Sequence, residues 1–144
     1  MASSVLCCII DGMDQAKFRC PKLRTRPSKY VEALYRPTLH CSGVWIHGAQ
    51  FSFHVANEDV KKDSTTQLET LFLNLSMLLD SHTQLPLVLH VQQDNCFREG
   101  KNQYVCAAMI LVVVLKVFRA SCLGYLRTGH SNLAFNNQVF SETT

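Results

Sequence analysis

Val5-Leu6-Cys7-Cys8-Ile9-Ile10-Asp11-Gly12 is an apolar run that stops on an acid. A second run, Leu87-Val88-Leu89-His90-Val91-Gln92-Gln93-Asp94-Asn95, stops in the same way. Neither alternates cleanly between apolar and polar residues, the pattern of strands covered on both faces of a mixed sheet. A carboxylate at the tip of each strand can meet its counterpart above the sheet, an arrangement that holds divalent metal on a phosphate substrate. Each aspartate is also followed by a turn-forming residue, so a plain turn role is the alternative for both Asp11 and Asp94. Asp14 reads as a cap or loop residue.

Between these runs the periodicity changes twice. Leu39 to Ile46 and Phe51 to Ala56 flank Gly48, and Phe51, Phe53 and Val55 alternate with Ser52 and His54, which predicts an antiparallel hairpin with one half-exposed face. Leu68, Leu71, Phe72, Leu75, Leu78 and Leu79 then follow the spacing of one helix face. Asp63 or Ser64 caps that helix, and Ser64 with Gln67 fits a capping box. Pro86 opens the strand that carries Asp94. A long helix is expected over Glu99 to Arg119, a short strand over Ser121 to Arg127, and a turn at Gly129-His130-Ser131 leads into a final segment. Three antiparallel strands followed by right-handed crossovers make a five-stranded mixed α/β sheet with helices on its faces. In that topology the first and fourth strands are central neighbours, and Asp11 comes to lie beside Asp94.

The whole chain supports one domain. Its 144 residues, 47% hydrophobic and 17% charged, describe a folded unit rather than a disordered one. A net charge of +3 is too small to establish nucleic-acid binding, but its distribution is uneven. Lys17, Arg19, Lys22, Arg24, Arg26, Lys29 and Arg36 cluster with three prolines and a single acid, Glu32. That stretch reads as a basic loop, either simply solvated or in contact with phosphate. The seven cysteines include no Cys-x-x-Cys pair, which disfavours a zinc knuckle or redox motif. Cys7, Cys8, Cys106 and Cys122 fall in apolar runs and read as small hydrophobes. No Cys sits at a recognisable elbow for a thiol protease. Met1 to Leu6 lacks the features of a signal peptide, so an intracellular setting is expected. Tyr104 to Leu115 is apolar but far short of the about 20 residues a spanning helix needs, and is expected to be a buried helix. His40, His47 and His54 recur at an odd spacing on strands and read as structural. Trp45 and Phe51 read as packing residues rather than base-stacking ones.

The element order, with an acid ending the first strand and another ending the fourth, resembles the RNase H-like fold of retroviral-integrase-type (DDE) transposase domains. Ile10-Asp11-Gly12-Met13-Asp14-Gln15-Ala16-Lys17-Phe18, Gln93-Asp94-Asn95 ahead of Lys101-Asn102, and Gly129-His130-Ser131 are similar to an uncharacterised transposase-derived, integrase-like family. That resemblance runs from about Val5 to Ser131. It implies Mg²⁺- or Mn²⁺-dependent phosphoryl transfer on DNA, with carboxylates holding two ions ~3.5–4 Å apart across the scissile phosphate. Asp11 would bridge both ions and Asp94 would hold one. Asn95, Lys101 and Asn102, at the start of the next helix, would suit a phosphate. Lys17 and Arg19, with Arg24 and Arg26 of the basic loop, would contact the DNA backbone. His130 would position water or substrate near the third acid; the alternative for it is a turn histidine satisfied by backbone bonds.

One departure stands out. The family pattern continues after the Gly-His-Ser/Thr turn with His-Glu-Asp-Ile-Asp, whereas this chain reads Asn132-Leu133-Ala134-Phe135-Asn136-Asn137. Asn136 falls where the third ligand should stand, and an amide brings no charge to a hard cation. Glu142 could replace it only through a shifted register. A domain truncated within its last helix, or a decayed copy, is therefore expected. The sequence points to a degenerate transposase or integrase-like catalytic domain, nuclear if functional, with DNA as partner and a homo-oligomer possible. No membrane association and no small-molecule substrate are expected. The alternative is a non-catalytic nucleic-acid-binding or protein-interaction remnant of a mobile element.

Overall fold

The computed structural model describes residues 4–12, 28–32, 34–81, 84–96 and 100–125. Its elements are β1 (Val5–Gly12), α1 (Lys29–Glu32), β2 (His40–Ile46), β3 (Gln50–Ala56), α2 (Ser64–Ser81), β4 (Val88–Gln93), α3 (Gln103–Val114) and β5 (Ala120–Tyr125). The strands form one five-stranded mixed sheet in the order β3-β2-β1-β4-β5. β1 to β3 are joined antiparallel, while β4 pairs parallel with both β1 and β5. The expected α/β mixed sheet with β1 and β4 as central neighbours is therefore present.

Alternation along the strands builds the core. Leu6, Cys8 and Ile10 of β1 cluster with Val44 and Ile46 of β2, and with Leu89 and Val91 of β4. Leu71, Leu75 and Leu78 of α2 close over this surface, joined by Met109 and Val112 of α3 and by Phe118. Both long helices thus pack on one face of the sheet. Topology explains why: the β3-α2-β4 and β4-α3-β5 connections both join parallel strands and move across the sheet in the same direction. Crossovers of one hand then place both helices on one side. On the opposite face Cys7 and Trp45 are half-buried, and Phe51, Phe53 and Val55 are exposed, so the expected cover on both faces of the central strands is incomplete among the described residues.

Local signals fix the helix ends. Asp63 caps α2, its Oδ1 accepting from Thr65 N at 3.0 Å and Thr66 N at 3.2 Å. The Gln67 side chain of the expected capping box reaches Gln93 instead. The first of the two candidate caps is the one used.

α3 is shorter than the Glu99–Arg119 helix expected from composition. Asn102 caps it, accepting from Tyr104 N and Val105 N. At the other end Lys116 turns to φ 58°. Lys116 N donates to Val113 O at 2.9 Å and Val117 N to Val112 O at 3.0 Å, the paired bonds of a Schellman ending. Apolar composition alone carries no such stop signal.

α3 also differs from the buried helix that its composition suggested. Val105, Met109 and Val112 form one buried stripe, while Ile110, Leu111, Val114 and Leu115 are exposed. Among the described residues no helix is long and apolar enough to cross a membrane. Of the four cysteines read as small hydrophobes, Cys8 is buried and Cys7 half-buried, but Cys106 and Cys122 are exposed. Burial pushes the Cys8 thiol up to about 12, which keeps it protonated and inert.

Candidate active site

The parallel register of β1 and β4 runs from Val5 opposite Val88 to Ile10 opposite Gln93. Asp11 follows Ile10 within β1 and Asp94 follows Gln93 just past the end of β4, so both acids stand at the same end of the central parallel pair. Their surroundings differ. Asp11 is half-buried and lines a cleft of ≈ 40 Å³ between the end of β1 and the first turn of α2, together with Ser42, Lys62, Asp63, Thr66 and Gln67. Asp94 is exposed, lies outside that cleft, and its Oδ1 accepts from the Asn95 amide at 2.7 Å. Among the described residues, no three His, Cys, Asp or Glu side chains stand close enough together to hold a metal ion.

The segment after Asp94 is held from below. Gly100 N and Lys101 N both donate to Cys96 O at 3.0 Å. Gly100 O in turn accepts from Gln93 Nε2 at 2.8 Å and from the Tyr125 hydroxyl at 3.3 Å. Burial, the largest influence, raises the Tyr125 phenol above its ordinary 10.0, so it remains a donor at neutral pH. A Cβ on Gly100 would lie 2.6 Å from Gln93 Cδ, so only glycine lets the loop sit this close. Gln93 is only 1% exposed, and its Oε1 accepts from Gln67 Nε2 at 2.9 Å. These contacts run from the loop that carries Asp94, through β4, to α2 beside Asp11.

The residues expected to meet phosphate are distributed unevenly. Lys101 and Asn102 do open α3. However, Lys101 Nζ lies 5.9 Å from the Tyr125 ring centroid, over its face, and Asn102 Oδ1 is used in capping. Asn95 is half-buried beside Asp94. Lys17, Arg19, Arg24, Arg26, His130 and Asn136 lie outside the described residues, as do Asp14 and Glu142.

A second polar network lies farther along α2. Asn74 is fully buried; its Oδ1 accepts from Gln50 Nε2 at 3.1 Å and from the Ser52 hydroxyl, and its Nδ2 donates to Thr70 O at 2.8 Å. The same amide nitrogen lies 2.8 Å from His54 Nε2, which must therefore accept. Burial lowers the His54 pKa, in keeping with a neutral ring. His47 stacks on Trp45 with centroids 4.4 Å apart. Both histidines have the structural roles expected of them.

Residues 29–143 match the family described as Domain of unknown function (DUF7869). The chain belongs to that family. Neither the curated proteins nor the solved structures include a match. The DUF7869 match spans β2 to β5, α2 and α3, and with them Asp94, Gln67 and Gln93, while Asp11 precedes it.

Gln67, Gln93, Gly100 and Tyr125 had no assigned functional role from sequence. One signal was available. Gln93 continues the Leu89, Val91 alternation onto the core face, where an uncharged polar residue requires a partner.

Proposed function

We propose that this DUF7869 chain is a degenerate integrase-type polynucleotidyl-transferase domain, derived from a mobile element and acting on DNA. The observation that carries this reading is the placement of Asp11 and Asp94 at one end of the central parallel pair in a β3-β2-β1-β4-β5 sheet. The cleft that Asp11 lines carries carboxylate, amide and hydroxyl oxygens, which suit Mg²⁺ or Mn²⁺ rather than a soft metal, together with the Lys62 ammonium. Asp11 and Asp94 would hold the cation, which when bound supplies charge neutralisation at the phosphate and a more acidic water. Lys101, at the opening of α3, adds positive charge on the Asp94 side of the site, where DNA phosphate would lie.

Asn136 in place of the third acid weakens this site without removing its framework. Residual cleavage is therefore expected to be slow. A supercoiled-plasmid nicking assay with Mn²⁺ tests the reading. Slow nicking that needs the cation, disappears in Asp11→Asn and rises in Asn136→Glu is the expected result. No nicking by either the parent chain or Asn136→Glu, at any Mg²⁺ or Mn²⁺ level, would refute it.

A second reading, DNA binding without cleavage, draws on the same loss at Asn136. It predicts binding that weakens steeply with salt and is reduced when Arg24 and Arg26 become Ala. Salt-independent binding would exclude phosphate contact by that loop.

A further inference from the structure

We propose that the outer face of α3 is a self-association surface, on which a second copy of this chain packs its own α3 about a two-fold axis.

α3 carries two apolar stripes, back to back. Val105, Met109 and Val112 face the sheet and are buried. On the opposite side Ala107, Ile110, Leu111 and Val114 follow the i, i+3, i+4, i+7 spacing of a helix face that packs against another element. All four are exposed, Ile110 to 64% and Val114 to 67%. Tyr104 and Leu115 extend the stripe along its flank and are exposed as well. No charged residue occurs anywhere in Gln103–Val114.

The neighbouring helix shows that position in the fold does not require this. α2 lies in the same layer, and its outer face carries Glu69, Ser76 and Asp80, all exposed. α3 has no equivalent of these groups, although water would meet both helices alike. An apolar patch this continuous marks a contact surface rather than ordinary exposure.

Two features select a second copy as the occupant. The first is area: two such faces in contact would bury on the order of 1,200 Å², the lower end of what specific interfaces bury. The second is charge. Transient interfaces between different proteins are no more apolar than the rest of the surface, whereas homodimer interfaces are. A two-fold contact sets one patch against itself, so any charge would meet its like. The α3 stripe brings none, and the small Ala107 lets the two helices approach closely beside Ile110 and Leu111.

The test is sedimentation equilibrium of the full chain from low to high micromolar concentration, with folding followed by thermal melts. The parent chain should form a reversible dimer. Ile110→Glu and Val114→Glu each place two charges in the interface, one per copy, and should weaken dimerisation roughly a hundredfold or more. Both positions face solvent in the single copy, so melting of the variants should stay cooperative. A parent chain that remains monomeric at every concentration overturns the inference, including one that binds phospholipid vesicles or another protein instead. A dimer that persists in both folded glutamate variants overturns it too. A check on the parent chain needs no variant. In a mixture of ¹³C-labelled and unlabelled copies, isotope-filtered nuclear Overhauser effects should link the Ile110 and Leu111 methyls to α3 of the other copy. A dimer lacking those effects pairs through a different surface and contradicts the proposal.

Discussion

The two polar networks under α2 are built from similar groups and end differently. Around Asn74 the polar groups close on one another: both acceptor positions and both donor hydrogens of its amide are used, by Gln50, Ser52, His54 and Thr70. Around Gln93 the chain of bonds starts at Gly100 O, passes through two amides and stops at Gln67 Oε1, which accepts no hydrogen bond among the described residues. A closed network stabilises and specifies a single packing of helix on sheet. An open one retains a cost that only a ligand or water can offset. The open end lies beside Asp11, and the closed network lies farther along the same helix.

The largest expected effect comes from breaking the closed network. Asn74→Leu leaves Gln50, Ser52, His54 and Thr70 O without their common partner and should cost about 3 kcal/mol, measured by urea denaturation. Mn²⁺ affinity should not change. A loss of Mn²⁺ affinity with intact folding would show that the two networks are one unit.

Gly100→Ala should cost about 2 kcal/mol, because the new methyl meets a Gln93 side chain that is clamped at both ends. Hydrogen exchange at the amides of Gly100 and Lys101 should accelerate while the core strands stay protected. Uniform acceleration across the sheet would mean that the loop is not separately anchored.

The smallest effect is the pH dependence of the closed network. The His54 pKa is lowered by burial below its ordinary 6.5, so the unfolded chain binds a proton more readily than the folded one. The contribution is full above 6.5 and is lost as the pH falls through the lowered folded value. Denaturation midpoints should therefore fall on acidification, and less so in His54→Gln. An identical pH profile in that variant would remove His54 from the account.

Much of the sheet was legible in the sequence because its signals are local. Unbroken apolar runs marked β1 and β4, alternation marked β3, and the rule of crossover hand placed β4 against β1. The same rule could have shown that α2 and α3 share a face, but apolar strands on their own suggested cover on both. The end of α3 was hidden because Lys116 adopts a left-handed conformation usually left to glycine. Asp11 and Asp94 were visible as the acids on which two apolar runs stop. Gln67 was not: helical periodicity treats it as one more polar residue near a cap, and its partner Gln93 is 26 positions away. Such a pair emerges only once the sheet order is known.

The central claim is that Asp11 anchors a hard-cation site at the end of β1. Isothermal titration of the full chain with Mn²⁺, compared between the parent chain and Asp11→Asn, tests it most directly. The account predicts saturable binding in the parent chain and none in a folded Asp11→Asn variant. Equal binding by the two chains, or none by either, would contradict it.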